Sequence, residues 1–347
     1  ARRRRAAAPQ NTVDSYSETL CIEVVLVWKL FHNSFDTFPS AYGLMGTFAH
    51  DLGGKGRVVP FLWNVSFPLR SSFFPNIVAM RRWYAILSAA LLWAQEADLE
   101  ALWQERDNPE KARAAIAILE KDLSQNPHQT EKVLRLSRLY YLVGESLPAK
   151  GPGSEEKLSY YDKAFQTCRS ELVYQLGLSG SKVEDEAIVK AATKDHLPLL
   201  YWAAAGIARW GKHAPFAKKV AARSKIRLYW DRVMELDPTY FHGGAYRFFG
   251  GYYALVPPIT GEQDVNKSRE MFEKALATAP YYLETKVLYA EAYAAHPKVR
   301  DRELFRKLLQ EVLSADPGTD PDYAAENRLA QKKAKNLLSQ ENELFEE

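Results

Sequence analysis

From Asp98 to the end of the chain, apolar residues recur every three or four positions, and Pro-marked turns break the pattern at a near-regular interval. That combination constrains the fold more than any other feature. A 3.6-residue apolar period makes one-sided helices. Recurrence of such helices every few tens of residues means that each buries its stripe against its neighbours in an array. The pairs Asp237-Pro238, Ala279-Pro280 and Asp316-Pro317 place prolines 42 and 37 residues apart, and Asn126-Pro127 and Gly151-Pro152-Gly153 mark earlier turns. Strand-like alternation is nearly absent. The expected class is therefore all-α, an α-α superhelix of degenerate helical hairpins over residues 95–347.

The best copy runs Tyr246-x2-Phe249-Gly250-x2-Tyr253, then Ser268-x3-Phe272-x2-Ala275, then Pro280, with about six extra residues at Val256–Gln263. A preceding copy has Trp202-x2-Ala205-Gly206, then Trp230-x2-Val233. A fainter one has Tyr289-Ala290-x2-Tyr293 and Phe305-x3-Leu309-x2-Val312, and an early one has Leu136-Ser137-x2-Tyr140 and Tyr161-x2-Ala164. Small residues let paired helices approach, large ones fill the groove between repeats, and proline ends the second helix. This is the pattern of tetratricopeptide (TPR) hairpins. Asp320-Pro321 predicts the start of a last helix, with Asp as N-cap and Pro at its first position. Its polar run Gln331-Lys332-Lys333 suggests a C-terminal capping helix with one wet face.

Tyr240 to Tyr293 holds twelve aromatics in 54 residues. Repeat packing accounts for Tyr246, Phe249, Tyr253 and Phe272. The surplus at Phe248, Tyr252, Tyr282 and Tyr293 either lines an apolar pocket or thickens the core. His242, before Gly243-Gly244, reads either as a helix-start residue in a tight loop or as a ligand contact.

The stretch Tyr240–Ala254, Val256-Pro257-Pro258, Asp264 to Ala275 and Lys286 to Ala294, with Asp301-x3-Phe305, Glu311-Val312-Leu313 and Asn327 to Ala334, resembles the TatT family, the TPR-protein components associated with TRAP transporters. The likeness runs over roughly residues 100–347. It implies a periplasmic all-helical protein that partners the solute-binding protein of a TRAP system. It also implies oligomerisation, and a cleft or pore for an apolar or organic-acid ligand. On this reading the candidate ligand-binding residues are Tyr246, Phe249, Tyr253, Lys286, Tyr289, Tyr293 and His242. The aromatics supply apolar area, and Lys286 either pairs a carboxylate or is a solvated surface lysine. The alternative is a general TPR scaffold that binds proteins and no small molecule.

Catalytic signatures are missing: there is no H-E-x-x-H, G-x-S-x-G or phosphate loop, and His128, His196, His213, His242 and His296 show no i,i+4 metal pairing. The expectation is a non-enzyme with no cofactor and no metal. Cys168 reads as a small buried residue. Members of the resembled family are often lipoproteins, but no lipobox cysteine follows the early apolar core. Met80-Arg81-Arg82 precedes the apolar run Trp83–Trp93 and Ala94, which reads as a signal peptide over 80–94 or as a buried helix. On the first reading residues 1–79 are upstream sequence outside the functional protein. The chain's net charge is +3. Residues 1–94 carry +5 of it, so the remainder is −2 and does not call for nucleic acid.

Overall fold

The computed structural model describes residues 96–179 and 183–346. The expected upstream segment 1–79 and signal peptide 80–94 lie outside the described residues. Residues 96–104 are helical and lead into α1 (Pro109–Gln125), α2 (Thr130–Ser146), α3 (Ser154–Gln175) and the short α4 (Asp185–Ala191). Then follow α5 (Leu197–His213), α6 (Phe216–Leu236), α7 (Tyr240–Leu255), α8 (Val265–Thr278) and α9 (Glu284–Leu288). The last are α10 (Arg302–Ser314), α11 (Ala324–Ser339) and α12 (Glu341–Phe345). The described residues contain no strand. Successive helices are packing neighbours: α1 with α2, α2 with α3, α3 with α5, α5 with α6, α7 with α8, and α10 with α11. None is long and apolar enough to cross a membrane.

The sequence sets several helix starts. Asn108 accepts from the Glu110 and Lys111 amides ahead of Pro109, and Asp264 accepts from Asn266 N and Lys267 N, so each side chain satisfies first-turn donors that the helix leaves unpaired. The α7–α8 hairpin shows why its motif carries a glycine. A Cβ on Gly250 would lie 2.8 Å from the ring of buried Phe272. Ser268 Oγ donates to Gly250 O at 2.7 Å, and in the α2–α3 hairpin Ser137 Oγ donates to Ala164 O at 2.9 Å. In α5–α6, Trp230 Nε1 donates to Ala204 O at 2.9 Å. In the faintest copy the helix changes type: α9 runs on as a π-helix over Tyr289–Ala294, with Ala295 N bonded five residues back to Ala290 O.

The last long helix departs from expectation in two ways. It begins at Ala324, not at Pro321. Asp320 spends its side chain on Asp322 N and its carbonyl on Tyr323 N and Ala324 N, which closes a turn before the helix. Its polar run is not simply wet. Lys333 Nζ donates to Glu284 at 2.8 Å and also to Glu145, while Gln331 Nε2 donates to Val312 O and Ala315 O. Only Lys332 of the three is exposed, and it pairs with Asp107. Helix α11 thus ties the end of the chain to α2 and to the turn before α1. Arg328 repeats the link to Asp107 at 2.7 Å.

Candidate ligand-binding cavity

The face of the array that α11 crosses is occupied by two layers of buried charge. In one, Arg209 lies between Glu145 (3.2 Å) and Glu284 (3.0 Å), and Lys333 bridges the same two carboxylates. Two cations meet two anions. Tyr141 and Tyr161 hydroxyls complete the shell, bonding Arg209 and Glu145.

The second layer is not balanced. Arg106 forks onto Glu326 through Nε (3.2 Å) and Nη2 (2.6 Å), and Arg138 Nε donates to the same carboxylate at 2.8 Å. Burial alone would raise the Glu326 carboxyl, but Arg138 and Arg106 outweigh it and hold the group below the ordinary range. Nearby, the buried Arg247 guanidinium meets only neutral oxygens: His242 O at 2.9 Å, Phe241 O at 3.3 Å, Tyr201 Oη at 3.1 Å and Thr285 Oγ1 at 3.5 Å. The Tyr282 ring covers it, 4.5 Å from Cζ to ring centre. Of these three buried guanidinium groups, two share the Glu326 carboxylate and the third bonds none.

A cavity of about 440 Å³ opens beside this layer, walled by Trp103, Trp202, Tyr240, Phe241 and His242, with Arg138 lining it and Glu131, Arg135 and Asp322 also contributing. The Arg138 guanidinium faces three rings, Phe241 at 5.0 Å, Trp103 at 5.2 Å and Trp202 at 5.6 Å. Its Nη2 donates to Asp322 O, and its Nη1 has no hydrogen bond among the described residues. Every fully buried side-chain nitrogen there has a partner. Nη1 is therefore not fully enclosed, and its residue lines the cavity.

Phe241 and His242 reach the wall through a left-handed turn. Their φ values are 48° and 60°, followed by 71° at Gly243. Glycine carries such a φ freely, whereas the two side-chain-bearing residues cost of order 1–3 kcal/mol each. Arg247 holds both strained carbonyls. The His242 ring stacks on Tyr282 at 4.6 Å, and its Nδ1 lies 3.3 Å from Tyr281 Oη. Burial, then Arg247 and Arg138, push the imidazole down to about 4. At neutral pH it is an uncharged partner within a positive field.

A sequence profile described as TRAP transporter T-component matches residues 158–345. The chain belongs to that family. No curated protein matches it. The family match covers the Trp202, Tyr240–His242 and Asp322 side of the cavity. Trp103, Leu134, Arg135 and Arg138 precede the matched residues.

Of the residues singled out from sequence, His242 lines the cavity. Phe249 is buried in the core among α5, α6 and α7. Tyr246 and Tyr253 are part-buried under Lys274 and Lys267 of α8. Tyr289 stacks on Phe272 at 4.9 Å and touches Tyr293 in the C-terminal core. Lys286 pairs with Glu311 of α10 at 2.8 Å. Among the surplus aromatics, Phe248 lies flat on Trp230 at 4.3 Å and Tyr252 donates to Glu262. Cys168 is fully buried, which pushes its thiol up to about 12. Sequence reasoning missed Arg138, Arg247, Arg106 and Glu326. A signal for the first two was present: each arginine sits inside an apolar helical run, Leu136-Ser137-Arg138-Leu139 and Tyr246-Arg247-Phe248-Phe249. A cation in that setting needs a buried partner or a ligand.

Proposed function

We propose that this TRAP transporter T-component works in the periplasm and holds a small organic acid in the cavity beside Arg138, for exchange with the solute-binding protein of its transport system. The observation that carries this reading is the excess of buried guanidinium charge over carboxylate, with one nitrogen of Arg138 not fully enclosed where that residue lines an aromatic-walled space. Such a field favours an anion, and the rings of Trp103, Trp202 and Phe241 favour an apolar body attached to it. Asp322 and Glu131 on the lining disfavour a second negative group at the mouth, so a monocarboxylate fits better than a dicarboxylate.

Native mass spectrometry of the purified chain tests the reading. The expected result is a bound small acid that is released on denaturation and absent from Arg138→Gln, with an added aromatic or branched-chain carboxylate raising the melting temperature of the wild type only. An apo wild type that no carboxylate stabilises, in a protein that still captures the solute-binding protein, would replace this reading with that of a protein-binding scaffold.

A further inference from the structure

Helix α6 begins with its apolar side turned outward. Its later turns bury Ile226, Tyr229, Trp230 and Val233, at the i, i+3, i+4, i+7 spacing of a core-facing stripe. Carried back toward the N-terminus, that face passes through Arg223, Ala222, Lys219 and Phe216 and opens to solvent as it goes: the first three are part-buried and Phe216 is 71% exposed. Beside it on the first turns, Ala217, Val220, Ala221 and Ser224 are all exposed. An apolar stripe at helical spacing on the solvent side is not what core packing produces, and it is longer than a single stray surface residue.

The α7–α8 connection lies against the same helix. Arg223 Nη2 pairs with Glu262 at 2.5 Å, Arg227 Nη1 pairs with it at 3.2 Å, and Arg223 Nε donates to Tyr252 Oη at 3.3 Å. Three residues before Glu262, Ile259 is 94% exposed, and Leu255 is exposed at the end of α7. The stretch of α6 beside this apolar rim is basic, and Glu262 pairs with two of its arginines. Residues 212–230 contain six Lys and Arg and no Asp or Glu. Lys218 and Lys225 flank one side of the stripe, and Arg223 and Arg227 the other. Four of the six cations find acidic partners on other segments or further along α6, while Lys218 and Lys219 have none among the described residues.

We infer that this rim docks on the surface of an anionic phospholipid bilayer, with Phe216, Val220 and Ile259 entering the headgroup–acyl boundary and the lysines facing phosphate. Protein interfaces are depleted in Lys, whereas aromatic and aliphatic side chains fringed by Lys and Arg are the composition of membrane-surface helices. The unpartnered Lys218 and Lys219 leave the rim with a positive excess that an anionic surface complements. The rim involves none of the cavity residues, so the inference stands or falls apart from the ligand reading.

The test is co-sedimentation of the full chain with vesicles of phosphatidylglycerol mixed into phosphatidylcholine, and with phosphatidylcholine alone. The expected result is binding to the anionic vesicles that weakens as salt rises. Lys218→Gln with Lys219→Gln should weaken it about 25-fold, taking about 1 kcal/mol per lysine at a charged surface. Phe216→Ser with Ile259→Ser should weaken it at least about tenfold. All four positions are solvent-facing or part-exposed, and unchanged far-ultraviolet circular dichroism checks that the variants fold. The inference is overturned by equal binding to both vesicle types, by no binding, or by binding that survives both double substitutions. It is equally overturned if the substitutions instead change the oligomeric mass, or abolish capture of an acidic partner protein by a chain that ignores vesicles.

Discussion

Replacing Glu326 by Gln tests the charge accounting at the centre of the molecule. The Glu326 side chain is 7% exposed, that of Arg106 is 0% and that of Arg138 is 10%. The substitution keeps shape and one acceptor, but it leaves Arg106, Arg138 and Arg247 buried with no carboxylate bonded to any of them. Removing one member of a buried pair costs about 3–5 kcal/mol, because the other member stays desolvated. At roughly 2–4 °C per kcal/mol for a domain of this size, the melting temperature should fall by about 6–20 °C. Thermal unfolding followed by far-ultraviolet circular dichroism reads this directly. Glu131→Gln, which loosens an exposed pair with Arg135, should cost under about 1 kcal/mol. The sign of the pH dependence provides an internal check. Glu326 is depressed in the folded state, so its contribution is full above the unfolded value of about 4.3 and is lost as pH falls through the folded value. Wild type and Glu326→Gln should therefore converge in acid. A loss of less than about 2 °C at neutral pH, or a gap that persists in acid, would refute the argument.

Two adjacent glycines should respond with opposite signs. A side chain on Gly250 meets the Phe272 ring at once, so Gly250→Leu should cost at least the ~1–3 kcal/mol of an overpacked core, and an unchanged melting midpoint would refute the α7–α8 register. At Gly251 a Cβ meets nothing within 4 Å, so Gly251→Ala should gain about 0.5–1 kcal/mol from helix propensity, seen as a raised midpoint. His242 and His213 are both held near 4 by burial, against 6.5 unfolded. The unfolded chain binds more protons between those values, so stability should decline from pH 6.5 toward 4, and His242→Gln should flatten that slope in a series of melts.

The legible part of this molecule was the part governed by periodicity. Buried Phe272, Ala275, Trp230 and Val233 sit where their spacing placed them, because a core position is specified by an apolar residue at the right interval. The start of α11 differs from expectation because Asp-Pro is compatible with both an N-cap and a turn, and the choice rests on where the Asp320 oxygens find their donors. The cavity was legible only through His242. Its other walls come from Trp103, Arg138, Trp202 and Asp322, which span more than 200 residues of sequence, and no local rule brings them together.

The same residues show why charge, rather than apolar area, marks the site. Aromatic density pointed to Tyr246 through Tyr293, yet Phe249, Tyr289 and Tyr293 are spent on packing, as a helical array requires of its large side chains. An aromatic side chain is satisfied equally by a core or by a ligand, so its abundance does not discriminate between them. A buried guanidinium does discriminate. It carries five donors and a charge that burial makes costly, so an incomplete set of partners leaves a measurable deficit. Arg209, between Glu145 and Glu284, has no such deficit, and its layer accordingly reads as structural. Arg138, which lines the cavity with Nη1 not fully enclosed and a half share of Glu326, does have one. The difference between two arginines on neighbouring helices, α2 and α5, separates a layer whose charges are matched from the one for which a ligand is proposed.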